Sequence, residues 1–300
     1  MTHEQPTVSI GLPVKDGDSY LDEAIRSILG QTYTDLELII SDNASTDRTE
    51  EIARGWTASD SRVRYVRNKA DIGAAPNFHQ CFHLARGKYF KWAAHDDLLH
   101  PKYVELCVAA MEMSPEVALA HTTAEQIDAE GAVVGQIPNI PDVASSDPVL
   151  RFTNVVTKER LNLPIFGLMR SRVLATTSIH GSFFASARVE LAEMALRGPF
   201  VWIDDPLFIH RNHSGASVRA IHDEQERRQW YDPARGALWY LPRWEYYWKL
   251  VAAVWSAPIG LSDRVRATAI IPGQMLGKAG ALARDLLQLS QRLLGRLLGR

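Results

Sequence analysis

A regular alternation of short apolar runs and amphipathic helical patterns governs residues 7–120 of this 300-residue chain. We predict strands at five apolar runs, residues 7–14, 36–40, 63–66, 89–93 and 117–120. Helices are predicted between them, at residues 18–30 and 101–113 and after the polar turns near Asp47 and Gly73. Short connections between such elements favour a three-layer α/β fold around a mostly parallel sheet.

Polar side chains follow four of the predicted strands at their carboxyl ends. They are Lys15 and Asp16, Asp42 and Asn43, Asn68 and Asp71, and Asp96 and Asp97. Ligands of parallel sheets bind beyond the carboxyl ends of the strands. These residues therefore form one candidate site.

The acid pair lies in residues 91–98, where an aromatic and apolar run stops abruptly at Asp96 and Asp97. Two interpretations compete. Adjacent carboxylates at a sheet edge favour a bound divalent cation, which in turn holds phosphates. The alternative is that they only cap the helix that begins near Pro101. The convergence of three other strand ends favours the cation site.

Composition and charge argue against several classes of protein. The formal net charge is −2, so no basic field recruits nucleic acid. Cys81 and Cys107 lie in apolar helical patterns, which indicates buried thiols in a reducing compartment. Residues 1–7 lack the apolar core of a secretory signal, and no apolar run is long enough to span a membrane. We expect a cytoplasmic protein.

Familiar nucleotide-binding and hydrolase motifs are missing. The chain has no G-x-x-x-x-G-K-[ST] segment, no G-x-G-x-x-G after the first strand and no G-x-S-x-G. The remaining possibility is a nucleotide that is held through a metal ion and acidic residues.

Four segments carry a resemblance to a known family. They are residues 8–14, 41–47, 68–78 and 92–98, in that order. Residues 7–217 thereby resemble the family 2 glycosyltransferases, which are inverting enzymes of the GT-A fold. The resemblance implies a nucleoside diphosphate sugar donor, a divalent metal (Mn²⁺ or Mg²⁺) and an acceptor hydroxyl.

The resemblance also implies roles for individual residues. Asp42 would lie at the base and ribose of the donor. The full set of implied donor-binding residues is Pro13, Val14, Lys15, Asp42, Asn43, Asn68, Asp71, Gly73, Asn77 and Arg211. Asp96 matches the last acid of the DXD motif and would hold the metal together with His213. One departure is that Ala94 occupies the position of the first acid.

The general base is not assigned. Inverting transfer needs a group that deprotonates the acceptor, usually a carboxylate. The family position corresponds here to Ala187. Three explanations stay open: a shifted alignment, another group such as Asp204, Asp205 or His180, or weak or lost transfer. His79 and His83 have metal-pair spacing, but two surface histidines on a helix explain them better.

The C-terminal part departs from the α/β pattern. We predict a GT-A domain at residues 1–219 and a helical extension, aromatic-rich and amphipathic, at residues 220–300. If residues 276–300 form a helix, its leucines lie on one face and mostly basic residues lie on the opposite face. Residues 264–300 hold seven Lys or Arg against the single acid Asp285. This pattern suits peripheral contact with the cytoplasmic membrane face, and packing against the chain itself or a second copy is the alternative.

The expected function is sugar transfer from a nucleoside diphosphate sugar to an acceptor hydroxyl with inversion. The acceptor would be a glycan or a lipid-linked molecule, in polysaccharide, cell-surface glycan or glycolipid synthesis. The alternative, motivated by Ala94 and Ala187, is a catalytically impaired member of the same fold that binds nucleotide sugars.

Overall fold

The computed structural model describes residues 5–137, 142–158, 162–215, 221, 224–234 and 240–297. The strands are β1 (Val8–Val14), β2 (Leu36–Asp42), β3 (Val63–Arg67), β4 (Tyr89–Trp92), β5 (Leu98–Leu99), β6 (Leu119–Ile127), β7 (Val133–Ile137), β8 (Leu168–Arg170) and β9 (Phe200–Arg211).

The helices of the first half are α1 (Leu21–Leu29), α2 (Thr49–Ser59), α3 (Ala74–Leu84) and α4 (Tyr103–Met113). The second half contributes α5 (Pro148–Lys158), α6 (Ser171–Leu174), α7 (Ser186–Arg197), α8 (Glu224–Tyr231), α9 (Pro242–Ser256), α10 (Leu261–Leu276) and α11 (Ala279–Leu297). A 3-10 helix covers Leu163–Phe166.

All the described strands belong to one sheet, in the order β3-β2-β1-β4-β8-β6-β9-β5, with β7 paired to β6. β1 pairs in parallel with β2 and β4, so that Val14 lies opposite Asp42 and Gly11 opposite Trp92. β8 runs antiparallel between β4 and β6, whereas β6 and β9 are parallel. The carboxyl ends of β1, β2 and β4 therefore meet at one edge, as the sequence predicts.

Two apolar layers cover the sheet. On one face Trp92 packs with Phe152 of α5, Leu191 of α7 and Leu250 of α9. The other face packs against α1, α2 and α4 through residues such as Ile25 and Val104. The predicted three-layer α/β/α architecture is thus confirmed.

The C-terminal helices pack on the first apolar layer and on each other. α11 contacts α9 through the buried Leu282 and through Asp285, whose carboxylate accepts a 2.9 Å hydrogen bond from the main-chain N of Arg243. Asp285 is fully buried, although the helical pattern placed it on the polar half. Among the described residues no helix has the length and apolarity to cross a membrane. The predicted boundary at residues 219 and 220 lies outside the described residues and stays a prediction.

Candidate active site

The turn between β4 and β5 carries the acid pair. Oδ2 of Asp96 lies 2.9 Å from Nε2 of His213, which follows the end of β9. Both side chains are mostly buried, at 13% and 12% exposure. The structure therefore brings the two predicted metal ligands together from positions 117 residues apart. Within the described ranges no set of three His, Cys, Asp or Glu side chains forms a metal cluster.

Asp97 has a structural role at the same turn. Its Oδ1 accepts a 3.0 Å hydrogen bond from the main-chain N of Arg211 and lies 2.9 Å from Nδ1 of His210. Burial raises the pKa of this carboxyl, and the neighbouring charge of Asp96 adds to the effect. Asp97 thus ties the acid turn to the end of β9 and leaves Asp96 to face His213.

Arg211 is buried and surrounded by partners from three segments. Its guanidinium donates to the main-chain oxygens of Asp96 and Ala129, each at 3.1 Å, and pairs with Glu23 at 2.7 Å. It also lies 4.5 Å from the ring centroid of Tyr20. These contacts support a positioning role. The predicted contact with donor phosphates stays a prediction.

Side-chain amides and one carboxylate link the loops that follow β2 and β3. We call Asn43, Asn68, Asp71 and Asn77 the amide network. Asn43 donates to Asp71 at 2.6 Å, and Asn68 donates to Asn77 at 3.0 Å and to Asn43 at 3.3 Å. Lys15 forms an ion pair with Asp71 from the loop after β1. The structure therefore brings together five of the predicted donor-binding residues.

Asp42 is fully buried at the end of β2. Its carboxylate accepts hydrogen bonds from the main-chain N of Ser45 at 2.8 Å and from the hydroxyl of Tyr65 at 2.6 Å. Burial and this carboxylate raise the pKa of the Tyr65 phenol. Asp42 therefore shapes the loop after β2. Pro13 and Val14 end β1 beside it, and the Val14 oxygen accepts a 2.8 Å hydrogen bond from Asn43.

Gly73 shows that a distant segment covers this loop. Its φ is +86°, and a Cβ built there would lie 2.8 Å from the Tyr231 oxygen and 2.7 Å from Cδ of Pro233. Only glycine combines that backbone conformation with so close an approach. The end of α8 thus packs on the loop that carries the amide network.

Sequence reasoning missed Tyr20, which contacts both Arg211 and His213. The Tyr20 and His213 ring centroids are 4.9 Å apart. Its position between a polar loop and the first turn of α1 was the available signal, and such a signal is weak. Glu23, on the same helix, was missed for the same reason.

The N-terminus of α7 holds Ala187, one residue inside the helix. Asp204 and Asp205, the carboxylates considered as substitutes, are exposed on β9. They precede His210 by six and five positions, so about 15–20 Å of strand separates them from the end of β9 that faces Asp97.

A surface pocket of about 370 Å³ opens near α7. It is lined by Ser178, Gly181, Ser182, Phe183, Asp232, Glu245 and Lys249.

Residues 9–193 match the family described as glycosyl transferase family 2. The match covers more than half of the chain. The chain belongs to glycosyl transferase family 2. It is 37% identical over 137 residues to the chondroitin synthase of Escherichia coli, a match that covers 45% of this chain and 20% of that protein. This glycosyltransferase chain thus spans about a fifth of that relative's length.

Solved structures show the same fold at low identity. S. aureus TarS residues 1–349, in complex with UDP-GlcNAc, superimposes with a TM-score of 0.65 at 12% identity, over 90% of this chain and 73% of that one. The mannosyltransferase PcManGT of Pyrobaculum calidifontis, in complex with GDP-Man and Mn²⁺, gives a TM-score of 0.53 at 16% identity. That match covers 97% of this chain and 85% of that one. The predicted GT-A fold is confirmed.

Proposed function

We propose that this glycosyltransferase moves a sugar from a nucleoside diphosphate sugar to an acceptor hydroxyl with inversion. The observation that carries the proposal is the Asp96–His213 pair at the sheet edge that also holds the amide network. An acidic turn beside a set of fixed amides suits a cation-bound diphosphate and its nucleoside. The similarity to the chondroitin synthase of Escherichia coli favours a role in cell-surface glycan or glycolipid synthesis.

The donor set fits a divalent metal, Mn²⁺ or Mg²⁺. A carboxylate oxygen and an imidazole nitrogen 2.9 Å apart are two ligands that can share one ion. Diphosphate oxygens and water supply the remaining ligands of a cation held by few protein groups. When bound, the metal acts as a Lewis acid that offsets the charge of the departing diphosphate.

The chain's own residues orient the donor in this proposal. Lys15, Asn43 and Asn68 line the nucleotide side, and Asp42 keeps the loop after β2 in place. Arg211 and Asp97 hold the metal-binding turn against β9.

A lipid-linked acceptor is consistent with the C-terminal helices. On α11, Leu286, Leu287 and Leu294 are exposed, whereas Leu282 faces α9. We propose peripheral contact of residues 276–300 with the cytoplasmic membrane face, of which residues 298–300 lie outside the described part. The extension at residues 220–300 would then serve as a docking element for the domain at residues 1–219.

A second candidate is a nucleotide-sugar-binding protein of the same fold with impaired transfer. Ala187 favours it, because the position that carries the general base in the family has no titratable group.

Calorimetry with a panel of UDP-, GDP- and TDP-sugars, with and without Mn²⁺, tests the proposal together with assays of nucleoside diphosphate release. Asp96→Ala should abolish metal-dependent binding and release. Asp35→Ala is the matched control, because Asp35 is exposed at the opposite, amino edge of β2. Full activity of the Asp96 variant would overturn the proposal. Donor binding with no turnover on mixed acceptors would favour the second candidate.

A further inference from the structure

Two buried polar atoms face each other beside the first turns of α7. His180 is 8% exposed and Glu190 is fully buried. Nδ1 of His180 lies 3.8 Å from Oε2 of Glu190, and within the described part of the chain neither atom has a hydrogen-bond partner. A buried polar group without a hydrogen-bond partner destabilises the folded protein. Such a cost, carried twice at one place, points to a functional arrangement.

Neighbouring side chains contact both groups, and one of them links Glu190 to β4. The His180 ring stacks on Phe78 of α3, with centroids 4.1 Å apart and an interplanar angle of 14°. The second oxygen of Glu190 accepts a 3.1 Å hydrogen bond from the indole N of Trp92. Trp92 is the last residue of β4, four positions before Asp96. Glu190 is therefore linked to the strand that leads into the turn with the candidate metal ligand.

The position of Glu190 relates it to the missing base. It follows Ala187 by three residues on α7, so the two positions share one helix face. Glu190 thus lies one helical turn C-terminal to position 187, where the family carries its carboxylate. His180 lies in the loop just before that helix, and its ring nitrogen faces the Glu190 carboxylate.

We propose that His180 is the general base of sugar transfer and that Glu190 is its positioning residue. The inference rests on the proposed function. The acceptor oxygen forms a bond to the anomeric carbon while its proton passes to Nε2 of His180. The bond from that carbon to the diphosphate oxygen breaks, and its electron pair leaves with the diphosphate. The negative charge of Glu190, 3.8 Å from Nδ1, stabilises the imidazolium that forms.

Other titratable groups near His180 do not replace it. On α3, His79 faces the main chain of His180, and burial lowers the pKa of the His79 imidazole. His83 lies one turn further and is exposed. On α7, Glu193 accepts hydrogen bonds from the main chain and the hydroxyl of Ser178, at 2.8 and 2.7 Å. Only His180 has a buried carboxylate oxygen opposite its unpartnered nitrogen among these groups.

Two substitutions and a control test the assignment. Nucleoside diphosphate release from UDP-GlcNAc and GDP-mannose is measured with water and simple monosaccharides as acceptors. His180→Gln should lower turnover at least about 100-fold, the usual contribution of a general base, without changing donor affinity or the melting temperature. Glu190→Gln should lower turnover less and move the acidic limb of the pH–rate profile to lower pH, because the imidazolium loses its counter-charge. His83→Gln should behave as wild type.

A gain-of-function variant distinguishes loss of the general base from loss of folded protein. His180→Gln combined with Ala187→Asp should recover turnover, because a carboxylate then occupies the family position. Turnover of His180→Gln within threefold of wild type overturns the assignment. It is also overturned if the wild type binds donor without turnover and Ala187→Asp alone creates turnover, although the donor site then stands. If neither protein binds any donor, the proposed function fails and the inference fails with it.

Discussion

Nε of Arg211 donates a 3.1 Å hydrogen bond to the main-chain oxygen of Asp96. The same guanidinium pairs with Glu23 on α1, so one buried side chain joins the end of β9 to the acid turn and to the first helix. Arg211 therefore influences the candidate metal site through the backbone that presents Asp96.

Arg211→Met should lower the free energy of unfolding by about 2–3 kcal/mol, because it leaves two partly buried carbonyl oxygens without this donor and removes the ion pair between β9 and α1. Glu23→Gln is the control and should cost less than about 1 kcal/mol, since Glu23 is 60% exposed. Urea unfolding measures both. A stable Arg211→Met protein with weakened donor binding would instead support the phosphate contact predicted from the sequence.

His213→Gln should weaken Mn²⁺-dependent donor binding at least about 10-fold, because the imidazole is one of two protein groups proposed to hold the cation. His100→Gln is the matched control, since His100 is exposed at the start of the loop before α4. Calorimetry in Mn²⁺ and in chelator measures the difference. Equal affinity of the wild type and the His213 variant in Mn²⁺ would exclude His213 as a ligand.

Gly73→Ala should destabilise the protein by about 1–3 kcal/mol and weaken donor binding. The added Cβ meets the Tyr231 oxygen and the backbone has a positive φ, so the segment 231–233 must move away from the loop that carries the amide network. Gly55→Ala is the matched control. Gly55 lies inside α2 with no atom within 4 Å of an added Cβ, and the change should stabilise by about 0.5–1 kcal/mol. Thermal melting of both variants, with and without a UDP-sugar, tests this contrast.

Local patterns predicted the first half of the fold because its four long strands are rich in apolar, β-branched and aromatic residues and are bounded by turn residues. The position of the candidate site could be predicted from the carboxyl ends of those strands. The structure does bring Asp96 and His213 together there. The antiparallel strand Leu168–Arg170 was not predicted, because three residues leave no period to detect.

Contacts between distant positions account for what sequence reasoning missed. Arg211 reaches Glu23 across 188 positions, and no local pattern on either element indicates that pair. Asp285 shows the same limit. The helical period placed it with the exposed basic residues, whereas its ion pair with Arg243 of α9 keeps it buried.

Leu287→Glu should reduce binding to anionic vesicles roughly 30-fold, or about 2 kcal/mol. Leu287 is 59% exposed on α11, and the change removes apolar contact and adds repulsion from anionic lipid. Leu150→Glu is the control, because Leu150 is also exposed but lies on α5. Sedimentation with phosphatidylserine vesicles compares them. Equal binding of the three proteins would argue that the leucine face meets another protein surface.

Lys91 should give the free energy of unfolding a characteristic pH dependence. It is fully buried in β4, where its Nζ donates to the Trp92 oxygen at 3.1 Å and to the Phe166 oxygen. Burial lowers its pKa to about 7, compared with about 10.4 in the unfolded chain. Between these values the unfolded chain holds a proton that the folded protein lacks, so stability rises with pH.

Lys91→Met should remove that rise. The loss of the two hydrogen bonds changes stability by an amount that does not depend on pH, so the informative quantity is the slope between pH 7 and about 10. Over that range the wild type should gain roughly 1 kcal/mol per pH unit relative to the variant. Lys102→Met is the control, because Lys102 is exposed and the slope should stay that of the wild type. Parallel slopes for wild type and Lys91→Met in urea titrations would show that the buried amine keeps its proton through this range.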